Sequence, residues 1–320
     1  MNAAIVILTQ NTVERKIYLK TSLYFLFKNF NKNYKYPIII LHEGDYDDDA
    51  QKEIILGIRS DFRYLISFRE IDKGDFTVPD NIDLERVSKI VSLKPVPYWR
   101  NLKYRMMCNF WMNHIYKYTK DYDYFMRLDD DSIIEEPICL DLFKHMYEKQ
   151  LIYISNFVHI DCGLCNYGMK DLFKTIFPDS NEIDKLFISS KLPMKSDVFE
   201  KFNQILQLNK QKPSQTDINT DMPIMYYNNF FITKTDFWQR NDVKDIIQKI
   251  NNHGGIFYYR YGDAPLQTLI VSLLNPQGIS RTSFKYSKRL QREVFKYGNE
   301  MHSYMPKNYD DTSCIIKDKK

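Results

Sequence analysis

Three consecutive aspartates that directly follow an apolar run constrain this chain more than any other feature. Residues 122–128 read Tyr-Asp-Tyr-Phe-Met-Arg-Leu, and Asp129, Asp130 and Asp131 come next. The run has the length of a strand and the aromatic residues that suit a pleated, enclosed surface, so it predicts a buried strand. Ligands of open α/β sheets bind beyond the carboxyl ends of the strands. The sequence therefore places three carboxylates where a ligand site is expected.

The acidic triplet has two interpretations. Adjacent like charges repel, so a cluster at the end of a strand indicates a cation held between the carboxylates. Carboxylates with open coordination positions suit Mg²⁺ or Mn²⁺. The alternative is a solvated acidic turn, and the position after a buried strand favours the metal site.

The first 70 residues alternate between strand and helix patterns. Apolar runs predict strands at 3–8, 36–41 and 64–68, and helical spacing predicts helices at 13–30 and 51–58. Asn11 or Thr12 is the expected cap of the first helix. This order predicts a parallel sheet with helices on both faces. Right-handed crossovers would then gather the strand ends around a crevice of nucleotide size.

A nucleotide in that crevice would need an unusual phosphate site. The chain has neither GxGxxG nor GxxxxGK[ST], so the sequence lacks the glycine-rich loops that bind phosphates in dinucleotide and P-loop sites. Metal or basic side chains would have to neutralise the phosphates. Thr9 and Asn11, in the polar turn after the first strand, are candidate contacts of the nucleotide.

Chain length and net charge limit the number of domains and the kinds of partner. The 320 residues, 44% of them hydrophobic, are enough for one large domain, with 1–131 expected as a nucleotide-binding half and 132–320 as an acceptor-binding half. A net charge of +4 gives no case for a nucleic-acid partner. The dense basic patch at 285–292 is interpreted as a solvated helix face.

Cysteine usage and hydropathy suggest a cytoplasmic protein more than a secreted one. Five cysteines without a secretion signal predict free thiols, and the lone pair Cys162 and Cys165 does not predict zinc. No stretch approaches the ~20 apolar residues of a transmembrane segment. Met1 favours a natural start, and a longer natural form with an anchor is the alternative.

The second half of the chain continues the alternation. Patterns predict helices at 101–118, 140–148 and 235–252, strands at 151–158, 224–233 and 256–261, and a helix to 274 that Asp263 would cap. Residues 179–221 are polar and interrupted by prolines. They form either a lid or acceptor-facing insertion, or a surface excursion.

At this point four blocks of the sequence, in order, resemble the fungal α-1,2-mannosyltransferase family, glycosyltransferase family 15. The blocks are Tyr104-Arg-Met-Met-Cys108; residues 122–131; Asn229-Phe230 with Asp236-Phe237-Trp238; and Gly254-Gly255 with Arg260 and Gly262-Asp263-Ala264-Pro265. Thr312-Ser313-Cys314 is a fainter match. The last of the four blocks is quite specific, whereas an acidic triplet alone is not.

The resemblance implies a fold, a donor and a set of site residues. The family suggests a single-domain GT-A type α/β fold with a Rossmann-like N-terminal sheet, GDP-mannose as donor, Mn²⁺ (or Mg²⁺) as cofactor and retention of configuration. Asp129 and Asp131 take the places of the family's metal-binding acidic residues, and His302 that of a histidine ligand. Tyr104 and Arg127 match an active-site tyrosine and an arginine that order the donor. The acceptor would be an oligosaccharide or glycoprotein.

Phe231 departs from the family pattern. The family's proposed nucleophile is a glutamate at this place, and a phenyl ring cannot attack an anomeric carbon. Asp263 is the first candidate to replace it. A front-face route without a nucleophile, in which the departing diphosphate takes the acceptor proton, is an alternative. Loss of activity, leaving a carbohydrate-binding relative, and the use of another sugar nucleotide are further alternatives.

Overall fold

The computed structural model describes residues 1–190, 195–214, 218 and 220–288. In that part of the chain, no helix combines the length and the apolar character that crossing a membrane requires. The predicted division at residue 131 stays a prediction, although one sheet takes strands from both sides of it.

Helices and strands alternate along the chain. The α-helices are α1 (Val13–Leu26), α2 (Lys32–Tyr34), α3 (Asp48–Leu56), α4 (Leu84–Leu93), α5 (Leu102–Asn113), α6 (Ile115–Thr119), α7 (Leu142–Lys149), α8 (Met169–Ile176), α9 (Ser196–Leu208), α10 (Thr235–Gln239), α11 (Asn241–His253), α12 (Gly255–Tyr258) and α13 (Asp263–Leu274). A π-helical turn, Phe27–Asn31, joins α1 to α2, and 3₁₀ turns lie at Ser60–Leu65, Lys73–Phe76, Pro97–Trp99, Leu164–Asn166, Ile183–Leu186 and Pro276–Gly278. The strands are β1 (Ala3–Leu8), β2 (Ile38–His42), β3 (Ile66–Glu70), β4 (Tyr124–Leu128), β5 (Ser132–Ile134), β6 (Tyr153–Ser155), β7 (Val158–Ile160), β8 (Phe187–Ser190), β9 (Thr220–Tyr226), β10 (Phe230–Lys234), β11 (Ile279–Arg281) and β12 (Tyr286–Lys288).

Seven strands form the central sheet in the order β11-β6-β10-β4-β1-β2-β3. β1 is parallel to both β2 and β4, and β2 is parallel to β3, as the sequence predicts. β10 runs antiparallel to both β4 and β6, a strand that the prediction of parallel pairing, made for the first 70 residues, does not include. The sheet is therefore mixed, and the amino end of β10 lies at the same edge as the carboxyl ends of β1 and β4.

The central sheet is covered on both faces because its strands alternate between two cores. Ala3, Ile5 and Ile7 of β1 pack in one core with residues of α1, whereas Ala4 and Val6 belong to the other, which contains residues of α5 and α13. Successive strand residues point to opposite faces, so a continuously apolar strand is the pattern of a sheet enclosed on both sides.

Two short sheets extend the fold beside the central one. β9 pairs antiparallel with β7 and β8, and β12 pairs antiparallel with β5. The predicted strand at 224–233 is thus two strands, β9 and β10, with Asn228 and Asn229 in the turn between them. The predicted strand at 151–158 is likewise divided between β6 and the start of β7.

The predicted strand at 256–261 is wrong. Its first residues form α12, in which the backbone N–H of Tyr258 donates to the Gly254 carbonyl at 2.9 Å. Gly254 ends α11 at φ 71°, a left-handed conformation that glycine adopts without a Cβ penalty. The aromatic residues of this segment are buried in the core. Because aromatic residues are also common in strands, the sequence pattern did not distinguish a buried helix from a strand.

The cap of α1 is as predicted, whereas the start of α13 and the third strand differ from the prediction in detail. Thr12 caps α1, and its side chain accepts from the Arg15 N–H at 3.2 Å. Gly262 occupies the cap position of α13, so the prediction of Asp263 as cap is wrong by one residue. β3 begins two residues later than predicted because residues up to Leu65 form a 3₁₀ turn.

Substituting Ile40 tests the two-sided sheet. Ile40→Ala in β2, a fully buried position, should lower the free energy of unfolding by about 2–5 kcal/mol because it leaves a cavity in the core. The matched change Leu56→Ala, at a side chain 65% exposed, should change it by about 0.5 kcal/mol or less. Chemical denaturation measures both, and equal losses would contradict the layered core.

Candidate active site

A cavity of about 1030 Å³ opens at the edge of the sheet where β1, β2 and β4 end. Thr9 follows β1, Glu43 follows β2, and the acidic triplet follows β4. Because β10 is reversed, Asn228 and Asn229, which precede it, also line the cavity. The carboxyl ends of parallel strands and the amino end of one antiparallel strand thus converge on a single polar cleft.

Asp129 is held by three groups. One carboxylate oxygen accepts from Arg127 Nε at 2.9 Å, and the other accepts from the Asn229 amide and lies 3.5 Å from Lys288 Nζ. Burial alone would raise the pKa of Asp129, but the positive charges of Arg127 and Lys288 hold it below its usual value. Asp129 is therefore ionised at neutral pH.

Asp130 and Asp131 are more deeply buried than Asp129. Asp130 accepts from the Thr9 hydroxyl at 2.8 Å and from Arg15 Nη1 at 2.7 Å. Burial raises the pKa of Asp130 to about 7 despite the charge of Arg15, and the charge of Asp131 adds to the rise. Asp131 lies 3.6 Å from Arg15 and 3.5 Å from Lys288.

The pair Asp129 and Asp131 fits a divalent cation. The single ammonium of Lys288 lies 3.5 Å from an oxygen of each, so the two carboxylates present oxygens to one cationic group. Within the described ranges, no three Asp, Glu, His or Cys side chains form a closed metal cage. Two carboxylates that leave coordination positions open suit Mg²⁺ or Mn²⁺ rather than a structural zinc.

Arg127 links the end of β4 to the start of α13. Its side chain is 2% exposed, and its Nη1 donates to Asp263 at 2.5 Å. The guanidinium lies over the ring of Trp111, 4.1 Å from its centroid. Burial alone would lower the pKa of Arg127, but the charges of Asp129 and Asp263 raise it overall. Asn228 also donates to Asp263, at 2.6 Å.

Tyr104 belongs to a second polar group on the cavity wall. Arg260 Nη1 donates to the Tyr104 hydroxyl oxygen at 3.3 Å, and Arg260 Nη2 lies 3.0 Å from both carboxylate oxygens of Asp161. Burial raises the pKa of Tyr104 well above its usual value, so the hydroxyl keeps its proton. Since its oxygen accepts from Arg260, that proton is free to be donated to another group.

The structure brings most of the predicted site residues together. The cavity lining contains Thr9, Tyr104, Arg127, Asp129, Asp131 and Asp263. Asn11 lies outside the lining, because its backbone N–H and its side-chain amide both bind Asp45, at 2.6 and 2.7 Å. His302 and residues 312–314 lie outside the described residues. The segment 179–221 contributes Asp197 and Lys201, in the first half of α9, to the lining.

Several lining residues were missed by sequence reasoning. Arg15 lies in α1 and Lys288 in β12, far in sequence from the aspartates that they contact. Lys288 belongs to the basic patch interpreted as a solvated helix face, which is wrong for residues 286–288 because they form a strand. For Arg260, the position within a matched block was a signal, and its φ of 82° marks an uncommon conformation for a side-chain-bearing residue.

Phe231 lies in the core beneath the cavity. It is 1% exposed, stacks on Tyr153 with ring centroids 5.2 Å apart, and meets Phe125 and Trp111 edge-on. It stands opposite Arg127 in the β10–β4 register. The position that carries a glutamate in the resembled family is therefore an aromatic packing position in this chain.

Comparison with known sequences identifies one family. The family described as Glycolipid 2-alpha-mannosyltransferase matches residues 1–287. The probable mannosyltransferase KTR3 of Saccharomyces cerevisiae is 24% identical over 249 residues, which cover 76% of this chain and 56% of that protein. The O-glycoside alpha-1,2-mannosyltransferase omh1 of Schizosaccharomyces pombe is 24% identical over 278 residues, which cover 85% and 65%. The chain thus spans less than two thirds of the length of these relatives.

Solved structures confirm the GT-A type fold. Core-mannan synthase A from Aspergillus fumigatus, in its Mn/GDP form, has a TM-score of 0.70 at 18% identity, over 90% of this chain and 74% of that one. The mannosyltransferase Ktr4p from S. cerevisiae, in complex with GDP, has a TM-score of 0.69 at 20% identity, over 89% and 71%.

Replacing Phe231 by glutamate tests its structural role. Phe231→Glu should lower the free energy of unfolding by about 3 kcal/mol or more, because the core loses an aromatic ring and gains a carboxylate. Phe231→Leu, which keeps an apolar side chain, should cost less. Chemical denaturation compares the two. Equal stability would show that the new carboxylate finds a partner, for which Arg127 is the nearest candidate in register.

Proposed function

This chain belongs to the glycolipid 2-alpha-mannosyltransferase family, and we propose that it is a metal-dependent glycosyltransferase that moves mannose from GDP-mannose to a glycan acceptor. The observation that carries the proposal is the carboxylate pair Asp129 and Asp131 at the end of β4. The pair faces a cavity large enough for a sugar nucleotide and shares one cationic partner. The donor and the metal are also suggested by the Mn/GDP form of core-mannan synthase A.

The difficult part of glycosyl transfer is the departure of the nucleoside diphosphate. Negative charge builds on the leaving group while the sugar becomes oxocarbenium-like. Asp129 and Asp131 would hold a Mn²⁺ or Mg²⁺ ion, which when bound neutralises part of the charge on the diphosphate. Arg15 and Lys288, the cationic neighbours of the same carboxylates, add positive charge to this end of the cavity. Preorganised charge of this kind is usually the largest single contribution to catalysis.

Tyr104 and Arg127, which also line the cavity, are suited to contacting the sugar or the phosphates. Tyr104 keeps its proton and has its oxygen occupied by Arg260, so it can donate a hydrogen bond to a sugar or phosphate oxygen. Arg127 cannot move freely because Asp129 and Asp263 both bind it. Both side chains are therefore held in place before a substrate arrives.

Retention of configuration without a covalent intermediate is the mechanism that these contacts favour. Phe231 lies in the core, and Asp263 binds Arg127 and Asn228 through the same carboxylate oxygen. An ion pair stabilises the carboxylate and lowers its reactivity as a nucleophile. We therefore assign Asp263 to positioning Arg127, and the acceptor proton to an oxygen of the departing diphosphate.

Phe231 also favours a second candidate function. A relative without a nucleophile could retain nucleotide or carbohydrate binding without transfer. Nucleotide selectivity is a separate alternative, because another sugar nucleotide would present the same diphosphate to Asp129 and Asp131.

Calorimetric titration separates these candidates. GDP should bind only when Mn²⁺ or Mg²⁺ is present, because the carboxylates need the cation to accept a diphosphate. UDP should bind more weakly if the donor is GDP-mannose, the donor that the Mn/GDP form of core-mannan synthase A suggests. Tighter binding of UDP would favour another donor sugar. If neither nucleotide binds with or without metal, the proposed transferase function is wrong and the carbohydrate-binding candidate is favoured.

Replacing Asp131 tests the carboxylate pair directly. Asp131→Ala should lower metal-dependent hydrolysis of GDP-mannose, or its transfer to an acceptor, by a factor of about 10²–10³, since it removes an electrostatic element of the site. Asp123→Ala, an exposed aspartate just before the same strand, is the matched control and should leave the rate unchanged. Unchanged turnover in a folded Asp131→Ala protein would reject the assigned role.

A further inference from the structure

A second cavity of about 440 Å³ lies between α4 and α9, next to the larger one. We call it the α4–α9 groove. It is lined by Lys89, Ser92, Leu93, Gln204, Gln207 and Leu208. These residues contribute nothing to the contacts assigned above to metal, donor or transfer.

The groove continues the lining of the larger cavity on both of its walls. On the α4 wall, Leu93 lines the groove and the next residue, Lys94, lines the larger cavity. On the α9 wall, Lys201 lines the larger cavity and Gln204, three residues later, lines the groove. Residues three or four apart share a helix face, so one face of α9 passes from one cavity to the other.

The length of this face exceeds what one sugar ring at the reacting centre would need. Asp197, which lines the larger cavity, and Leu208, at the far end of the groove, are eleven residues apart on α9. At 1.5 Å per residue the face is about 16 Å long. An extended ligand with its reacting end in the larger cavity would therefore reach the groove.

The chemistry of the groove suits a neutral polyol. Leu93 and Leu208 are half-buried and provide an apolar floor, while Gln204 and Gln207 are exposed and flank it. An amide side chain offers both a donor and an acceptor, which matches a hydroxyl that can serve as either. Among the described residues of the lining, none is acidic, and the one lysine, Lys89, is ion-paired with Glu85 at 2.6 Å. Sugars combine hydroxyls with apolar C–H faces, so they match this mixed surface.

We propose that the α4–α9 groove binds the sugars of an oligosaccharide acceptor that lie beyond the sugar being extended. The inference rests on the proposed function, because the reacting hydroxyl must lie in the larger cavity. It names the acceptor class: a glycan of several residues in preference to a single sugar or a peptide. The excursion that carries α9 would then select acceptors by length.

The test measures binding and transfer over a series of acceptors. Mannosides of one to four units are titrated calorimetrically into the full chain with GDP and Mn²⁺, and transfer from GDP-mannose is measured in parallel. The affinity should rise about three- to tenfold from one unit to three, which one or two neutral hydrogen bonds provide. The KM for the acceptor should fall by the same factor.

Three variants locate the effect. Gln204→Ala combined with Gln207→Ala removes the amides, and Gln204→Trp fills the groove. Both should abolish the gain with length and leave unchanged the affinity for the single mannoside and the KM for GDP-mannose. Gln248→Ala, at an exposed position of α11 outside both cavities, is the matched control and should keep the gain. The unfolding midpoint of each variant verifies that the fold is intact.

The outcomes distinguish this inference from the proposed function. Transfer with the same KM for all lengths, or a gain that survives in the groove variants, would overturn the groove and leave the function standing. Length-dependent binding that the variants abolish, without any transfer, would support the groove and overturn the function. A gain from the peptide part of a glycopeptide, and none from added sugars, would also overturn the glycan assignment.

Discussion

The ion pairs of Arg127 are the interaction on which the site depends. A guanidinium that is 2% exposed must be paired, because an isolated charge in the protein interior is very costly. Arg127 meets this requirement with one aspartate from the end of its own strand and one from the start of α13. The pairing joins the sheet to the helix layer at the cavity and fixes the direction in which Asp129 points. The buried ion pairs of Arg127 thereby fix the positions of the side chains at this end of the cavity.

The elements that could be predicted are those in which local pattern and burial agree. β1, β2 and β4 are mainly apolar and buried along almost their whole length, the pattern of a sheet enclosed on both faces. The region 256–261 was predicted as a strand because its aromatic residues suit either a strand or a buried helix, and only packing decides between them. The hydrophobic pattern of β10 does not determine its direction, because an apolar strand has the same pattern whether it is parallel or antiparallel to its neighbours.

The sequence predicted those site residues that come directly after a strand. The acidic triplet and Thr9 lie where two neighbouring strands of the sheet, β4 and β1, end, and the position of strand ends can be read from local sequence. Arg15 and Lys288 could not be found in this way, because each contacts the aspartates only through tertiary packing. Asn11 shows the converse error: it lies in the expected turn, but it binds Asp45, which is 34 residues away in the turn after β2, and stays outside the cavity lining.

The reversal of β10 has a consequence for how such a protein can diversify. The chain leaves the central sheet at Ser155 and returns at Phe230, and the two strands involved are hydrogen-bonded neighbours. The segment between these strands, residues 156–229, therefore begins and ends at positions that the sheet holds side by side. Lengthening a segment between fixed ends costs entropy that grows only logarithmically. Insertions in this segment could therefore change the protein's outer surface while the carboxylates that follow β4 kept their places.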